Sequence, residues 1–460
     1  MNTRIDGNDI MARYIENACW SDFPDYVKEK AKLCLLDALC AIVAGRLSQA
    51  VNISEAYITK LFPQGKGATI LLGNKQSTPE GAAFVNGCAA NAMDIDDNGA
   101  YTRGHPGAQI IPVALSVGES VGASGMDVLT AIVVGYETAH RIGHIWHETR
   151  SEYQACGSWG AVANAAVAAK LMKLDNNRTK HAFGIADYHA PNVPVMRDVD
   201  HPAMVKHGIA WAAMSGIMAA GLAREGFTGV PSLLGMEKYR DWVASIGHEY
   251  KFVDGVTFKR YASCSWSHPP YVIARNLIEK NKIEIDDIDK IIVHGFHEMV
   301  SLGADLPETE EQAQFNIAWP LAAGLIDGDI SPKQMLLHRL KDQSIIELAN
   351  KVDLVESEEL NSRYIEGSFP CEVEIQLKMN QARFSSGIQV FDSCSKEAKE
   401  SETGDLRHKD DLVKKFRKYC SHVLEEQAIN ECLKCIEHLD QLPELKSLVD
   451  ILTDRPAVLK

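Results

Sequence analysis

The stretch Asn91–Gly107 gathers three aspartates (Asp94, Asp96 and Asp97) with Asn98, Thr102, Arg103 and His105, between the apolar segments Gly81–Ala90 and Ile110–Val121. Charge set between buried elements is costly unless it is paired, bound or used. His105-Pro106-Gly107 opens the next helix, because proline suits the first helical turn. Free N–H groups there can hold an anion, with His105 alongside. The stretch therefore predicts one wall of an active site for an anionic substrate. The competing reading is a solvated loop in which Asp and Asn cap helix ends. A calcium loop is the other chemistry to weigh, since Asp94-x-Asp96-x-Asn98-Gly99 matches the first half of an EF-hand. The twelfth position should then be a bidentate glutamate, and it is His105. The cage is incomplete, and no metal is expected.

Three further stretches carry reactive side chains. Glu152–Gly160 places Tyr153, Gln154, Cys156 and Ser158 before a predicted helix, where capping is the plainer role. Arg197–Gly208 brings Lys206 and His207 to what reads as the start of an apolar helix. Cations there oppose the macrodipole, so a bound anion would account for them; two exposed basic side chains is the alternative. Phe258–His268 holds Lys259, Cys264 and His268 at a predicted domain junction, where ligand clefts form. Lys259 and His268 are candidates to face that cleft. Cys264 reads more readily as a small buried hydrophobe than as a nucleophile. No GxSxG elbow, P-loop or GxGxxG lies in a strand–turn–helix setting.

These residues need a scaffold, and 460 residues exceed what one core usually spans, so two domains are expected. With 46% hydrophobic and 24% charged residues the chain has the composition of an ordinary globular protein. Its net charge of -15 argues against nucleic acid as a partner. The N-terminus lacks a basic start followed by an apolar core, and no apolar run is long and clean enough to span a bilayer, so neither signal peptide nor membrane partner is expected. Eleven scattered cysteines suggest reduced thiols in a cytoplasmic protein. The lone Cys432-Leu-Lys-Cys435 is a weak zinc signal.

Periodicity predicts helices over Asn8–Gly45 with a break at Ser21–Pro24, then over Pro79–Met93, His105–Gly122 and Met126–Trp146. Glu137 and Arg141 are placed to pair on one face of the last. Gly157–Leu174, Arg178–Ala186 and an Ala/Gly/Met-rich Met204–Gly226 follow, so the first ~250 residues read as a helical bundle. After Ser265 the pattern turns to α+β. Ile288–Phe296 is a strand, Glu311–Gly328 one helix, Ser344–Lys351 a short helix and Val352–Glu356 an edge strand. Alternating Cys371–Leu377 pairs with Phe384–Phe391 across a Met379–Gln381 turn. Asp392–Asp405 is polar and loose, and from Asp410 a helical tail is expected to dock back on the first domain.

Several motifs together resemble the MmgE/PrpD family. They are Ala82-Ala83-Phe84-Val85-Asn86-Gly87, Met93-Asp94-Ile-Asp96-Asp97, His105-Pro106 with Ile110-Ile111-Pro112, Gly135-Tyr136-Glu137, Met204-Val205-Lys206, Gly226-Phe227-Thr228-Gly229 and Asp327-Gly328. The likeness runs from Leu35 to Phe416. It implies a mainly α fold, with a large helical domain built from both chain ends (1–265 and 396–460) and a smaller α+β lid domain (266–395). It also implies a homodimer without metal or cofactor, acting on a small anionic carboxylate. Asp94, His105, Lys206 and Lys259 fall on positions the family uses for catalysis or substrate binding, and Asn98 falls near another. Three positions depart from better-known members: Asn91 and Gln154 stand for histidines, and Trp319 for a pocket tyrosine. Gln154, Trp319 and His268 join Asn98 as expected substrate contacts. The departures predict weak cis-aconitate decarboxylation, because they remove proton carriers.

The common chemistry of such acids is a carbanion or enolate beside a carboxylate, which needs charge neutralisation and one proton transfer. A lyase of the 2-methylcitrate dehydratase kind is the first expectation. The alternatives are a dicarboxylate epimerase or isomerase, a cis-aconitate decarboxylase, and a non-catalytic carboxylate binder.

Overall fold

The structure is a computed structural model that describes residues 6–62, 67–365, 367–379, 381–392 and 405–453. Its helical body starts with α1 (Gly7–Asn17), α2 (Asp25–Gly45) and α3 (Gln49–Leu61). Pro24 sets up the entry to α2, and from Leu33 to Gly45 every side of α2 is buried, so it runs through the centre. The hairpin β1 (Ala68–Ile70) and β2 (Lys75–Ser77) precedes α4 (Pro79–Asn91). Thr78 caps α4 by accepting the Gly81 N–H, and Pro79 occupies its first turn. After the short strand β3 (Asp97–Gly99) come α5 (Gly107–Val121), α6 (Gly125–Glu148), α7 (Cys156–Leu171), α8 (Asn176–Tyr188), α9 (Val195–Asp200) and α10 (Ile209–Arg224). Inside α6 the predicted pair forms: Arg141 Nη1 lies 2.5 Å from Glu137 Oε2, both fully buried.

Small residues let these helices approach closely. A Cβ on Gly45 of α2 would sit 1.9 Å from the Ala89 carbonyl oxygen of α4. Gly45→Ala is therefore expected to cost about 1–3 kcal/mol or more of stability through overpacking. A lower urea midpoint at unchanged m-value would show it; an unchanged midpoint would contradict it.

Three expectations need correction. The helix predicted from Met204 begins only at Ile209. Lys206, His207 and Gly208 have φ of +21°, +54° and +68°, a left-handed run that no right-handed helix can contain. The helix predicted over Glu311–Gly328 is two helices, Glu310–Gln314 and Ala318–Asp327. Phe315 leaves helical geometry, and Asn316 Oδ1 accepts the Trp319 N–H at 2.7 Å to start the second. The strand predicted over Phe384–Phe391 is split into β8 (Arg383–Ser385) and β9 (Gln389–Asp392), because Gly387 turns the chain at φ +62°.

Both β8 and β9 pair antiparallel with β7 (Ser368–Leu377). The latter pairs antiparallel with β5 (Ile288–Gly295), whose other neighbour is the parallel edge strand β6 (Val352–Glu356). Most of the loose return predicted over Asp392–Asp405 lies outside the described residues. Where description resumes, Leu406 bridges to Phe258, and the helix Lys409–Cys420 packs on α2. Lys415 of that helix reaches Asp37 Oδ1 at 2.5 Å and the Ile95 carbonyl at 2.5 Å, so the C-terminal segment braces the charged loop from behind. Among the described residues no single helix is long and apolar enough to cross a membrane.

Candidate active site

Residues Ala92–Asp96 leave α4 in a tight turn. Asp94 there takes φ +51°, a conformation that Asp tolerates better than most residues. The carbonyls at the end of α4 are claimed from two directions. Lys206 Nζ donates to Asn91 O and to Gln314 Oε1, each at 2.6 Å, and Gln314 Nε2 donates to Ala92 O at 2.9 Å. Lys206 thus serves the C-terminus of α4, where a cation complements the macrodipole. The sequence argument that it opens a helix and calls for an anion is overturned, and its side chain does not line the cleft described below.

A second strand brings the partner that sequence could not place. The strand β4 (Val256–Phe258) pairs antiparallel with β3 in the register Asp97↔Phe258. The residue after it, Lys259, is thereby delivered under the loop, with Nζ 2.7 Å from Asp94 Oδ1 and no solvent exposure. Burial alone would lower the Lys259 pKa, but the Asp94 and Asp96 carboxylates outweigh it and the net direction is up. For Asp94, burial pushes upward and is outweighed by Lys259, Lys206 and the two nearby histidines, so its carboxyl stays well below the usual range. The pair is charged at neutral pH.

His105 is the opposite case. Its Nδ1 lies 2.7 Å from the Asp97 carbonyl oxygen, which can only accept, so Nδ1 carries the hydrogen and Nε2 the lone pair. Nε2 sits 3.8 Å from Asp94 Oδ1. Burial pulls the His105 pKa down to about 4, with Asp96 resisting and Lys259 assisting, so the ring is neutral at pH 7. Asp97 is itself held by the Gly107 N–H at 2.9 Å and the Tyr136 hydroxyl at 2.7 Å, which fixes the carbonyl that orients His105. Across from His105, with ring centroids 5.3 Å apart, lies His207. Its N–H donates to Asp198 Oδ2 at 2.7 Å, and its Nδ1 is 3.2 Å from the same oxygen.

Asp94, Asn98, Arg103, His105, His207 and Lys259 line one cleft that opens to solvent. Asn98 is anchored by donating to Asp405 Oδ2 at 2.8 Å and Ser265 Oγ at 3.0 Å. Apolar side chains complete the lining: Val195, Val199, Phe315, Trp266, Tyr364 and Phe369. Cys264 also faces it, but burial first and Asp94 second push its thiol up to about 12, so it stays protonated and is no nucleophile at neutral pH.

Of the expected site residues, the fold brings together Asp94, His105, Lys259 and Asn98. It does not bring Gln154, His268 or Trp319 to the cleft. Gln154 Oε1 accepts from Ser158 Oγ at 3.0 Å, and its neighbours Tyr153 and Ala155 line the cleft instead. His268 Nε2 turns to the Ser263 carbonyl at 3.1 Å. Trp319 is fully buried and donates Nε1–H to Gln334 O at 3.0 Å. Gln154 and Trp319 therefore cannot set substrate choice by direct contact, and the physical basis for predicting weak cis-aconitate decarboxylation is gone. Asn91 donates to both carboxylate oxygens of Asp96, at 3.1 and 3.0 Å. His207 and Arg103 were legible only as members of charged stretches, without a place in a cleft, and the aromatic lining gave no sequence signal. The one available signal was His207 beside Lys206, and side-chain direction at a left-handed turn is not readable from periodicity.

The calcium reading fails on geometry: Asp96 is bound to Asn91, and Asn98 to Asp405 and Ser265, so the loop side chains do not converge. Among the described residues the ligand atoms of Asp94, His105 and His207 do lie within 4.8 Å of one another. The charged Lys259 ammonium already sits on Asp94, so a dication would meet a cation at its only anionic ligand. Added Zn²⁺, Mg²⁺ or Ca²⁺ is accordingly expected to leave the Tm unchanged. A rise of several degrees would show a site that this charge balance forbids.

A family model for the MmgE/PrpD N-terminal domain matches residues 9–252, and one for the MmgE/PrpD C-terminal domain matches residues 261–440. Similar proteins include the cis-aconitate decarboxylase of Homo sapiens, 25% identical over 93% of this chain and 90% of the relative. The cis-aconitate decarboxylase of Aspergillus terreus is 24% identical over 96% of this chain and 95% of that protein. A helical body, a smaller mixed α/β part and two consecutive family matches that take in nearly the whole length agree: the chain belongs to the MmgE/PrpD family.

Proposed function

We propose that the protein is a lyase acting on a small carboxylate, with removal of a proton next to a carboxyl group as its central step. The observation that carries this is His105: a neutral imidazole with Nδ1–H tied to a carbonyl and a free Nε2 in a cleft, beside a permanently charged lysine. In a dehydration, the C–H bond breaks toward Nε2 and its electrons form the double bond. The neighbouring C–O bond breaks, and the departing hydroxide takes the proton just received by Nε2 and leaves as water, which returns the imidazole to its neutral form. Charge that builds on the substrate carboxylate as the carbanion or enolate develops is met by Lys259, whose orientation Asp94 holds. A base that is neutral at pH 7 suits proton abstraction better than protonation of the carbanion left behind when carbon dioxide departs, which favours loss of water over loss of carbon dioxide. The relatives named as cis-aconitate decarboxylases keep decarboxylation as the second reading.

The test is incubation of the purified chain with a panel of di- and tricarboxylates in heavy water. Loss of water from a hydroxy acid, with deuterium at the proton-bearing carbon in the reverse direction, is the expected result. Carbon dioxide release would establish the second reading. Exchange without net conversion would point to an epimerase using His105 and His207 as its two bases. No chemistry on any acid would refute the proposal.

A further inference from the structure

We infer that Asn98 and Ser265 form the subsite that holds the hydroxyl group leaving from the substrate, with Asp405 as the positioning residue that sets its polarity. This rests on the dehydration reading of the same cleft and adds to it the side chains that select a hydroxy acid.

An asparagine amide has two N–H donors and one carbonyl acceptor. Both donors of Asn98 are engaged inside the protein: Nδ2 donates to Asp405 Oδ2 at 2.8 Å and to Ser265 Oγ at 3.0 Å. Asp405 Oδ2 also accepts the Thr257 hydroxyl at 2.7 Å, and Thr257 stands opposite Asn98 in the β3–β4 register. Turning the amide over would set its carbonyl oxygen against that carboxylate, so the orientation is fixed. What Asn98 has left for the cleft is Oδ1, which only accepts and receives no hydrogen bond among the described residues.

Ser265 supplies the complement. Its Oγ accepts from Asn98, so its own hydrogen remains to be donated. Both side chains line the cleft with His105, and both are half-buried rather than sealed. An alcohol matches the two together, because its O–H donates and its oxygen accepts. A carboxylate has no hydrogen for Asn98 Oδ1 and would face it with a lone pair. An ammonium has no lone pair for the Ser265 hydrogen. In the dehydration the same contacts serve the departing oxygen. Ser265 donates to it as the electrons of the C–O bond move onto it, and its original hydrogen stays on Asn98 Oδ1. The proton from His105 Nε2 completes the water.

The experiment is calorimetric titration of the full chain with malate, succinate and aspartate, which carry OH, H or ammonium on the same skeleton. Citrate and tricarballylate, which differ only in a hydroxyl, are titrated alongside. Malate and citrate should each bind about tenfold more tightly than the acid lacking the hydroxyl. In Ser265→Ala that preference should shrink about three- to ten-fold, with affinity for succinate and tricarballylate unchanged. Asp405→Leu should abolish the preference, because the amide is then free to turn, whereas Asp405→Asn should keep it through the retained acceptor oxygen. A merely structural role for Asp405 would weaken hydroxylated and plain acids alike. Equal binding within each pair, tighter binding of aspartate than of malate, or binding of no compound would overturn the inference. So would equal losses for both members of a pair in Ser265→Ala. Turnover of hydroxy acids without this preference would leave the lyase reading standing and remove the subsite. A hydroxyl preference that depends on Ser265, without chemistry on any acid, would do the reverse.

Discussion

Replacing His105 with asparagine is expected to lower kcat by about 10²–10⁴, the usual contribution of a positioned acid–base group. Asparagine is the informative choice, because its side-chain amide can still donate to the Asp97 carbonyl that now receives Nδ1–H. The loop and its left-handed Asp94 should therefore hold, and Tm should change little. The proton-accepting Nε2 is what disappears. The wild-type pH profile gives an independent check. With its pKa drawn down to about 4 by burial, His105 remains a base across the range in which an ordinary histidine would already be protonated. On this assignment kcat/KM keeps its value as pH falls through 6.5 and drops only nearer 4. An acid limb at 6.5, or near-normal turnover in His105→Asn on the true substrate, would remove His105 from the role.

Lys259→Met should produce the largest loss of stability, together with loss of turnover. The lysine is fully buried, and its ammonium lies against a carboxylate that is 1% exposed. Removing one partner of such a pair strands the other in a low dielectric, at a cost of about 3–5 kcal/mol. A second change separates stability from catalysis. Asn at position 94 accepts the same left-handed backbone and carries no charge. Lys259→Met with Asp94→Asn should therefore recover most of the unfolding free energy while turnover stays lost, because the charge meeting the developing enolate is absent. Urea titrations of the two variants at pH 7 decide it. If the single variant unfolds no earlier than wild type, the ion pair is not the buried, committed interaction described above.

Much of the molecule could be read before the fold was known, where the information is local. Thr78-Pro79 announces the start of α4, and the (i, i+4) spacing of Glu137 and Arg141 announces their pair. The alternation in Cys371–Leu377 announces a strand within β7. The charge density of Asn91–Gly107 between apolar helices marks the loop that supplies one wall of the cleft, and the motifs around it carry the family.

Other features answer to contacts between distant segments. Lys259 meets Asp94 because β4 pairs with β3, and no spacing in the chain encodes that register. The neighbours Lys206 and His207, read together as the basic start of a helix, go separate ways, the lysine to the end of α4 and the histidine to the cleft, because they lie in the left-handed run Lys206–Gly208. Gln154, His268 and Trp319 have suitable chemistry, but their polar atoms are taken by Ser158, Ser263 and Gln334. The neutral state of His105 depends on burial and on one carbonyl from Asp97. Residue type and periodicity encode propensity and one-dimensional pattern, whereas side-chain direction, hydrogen-bond partner and local dielectric arise only when segments far apart in the chain pack together.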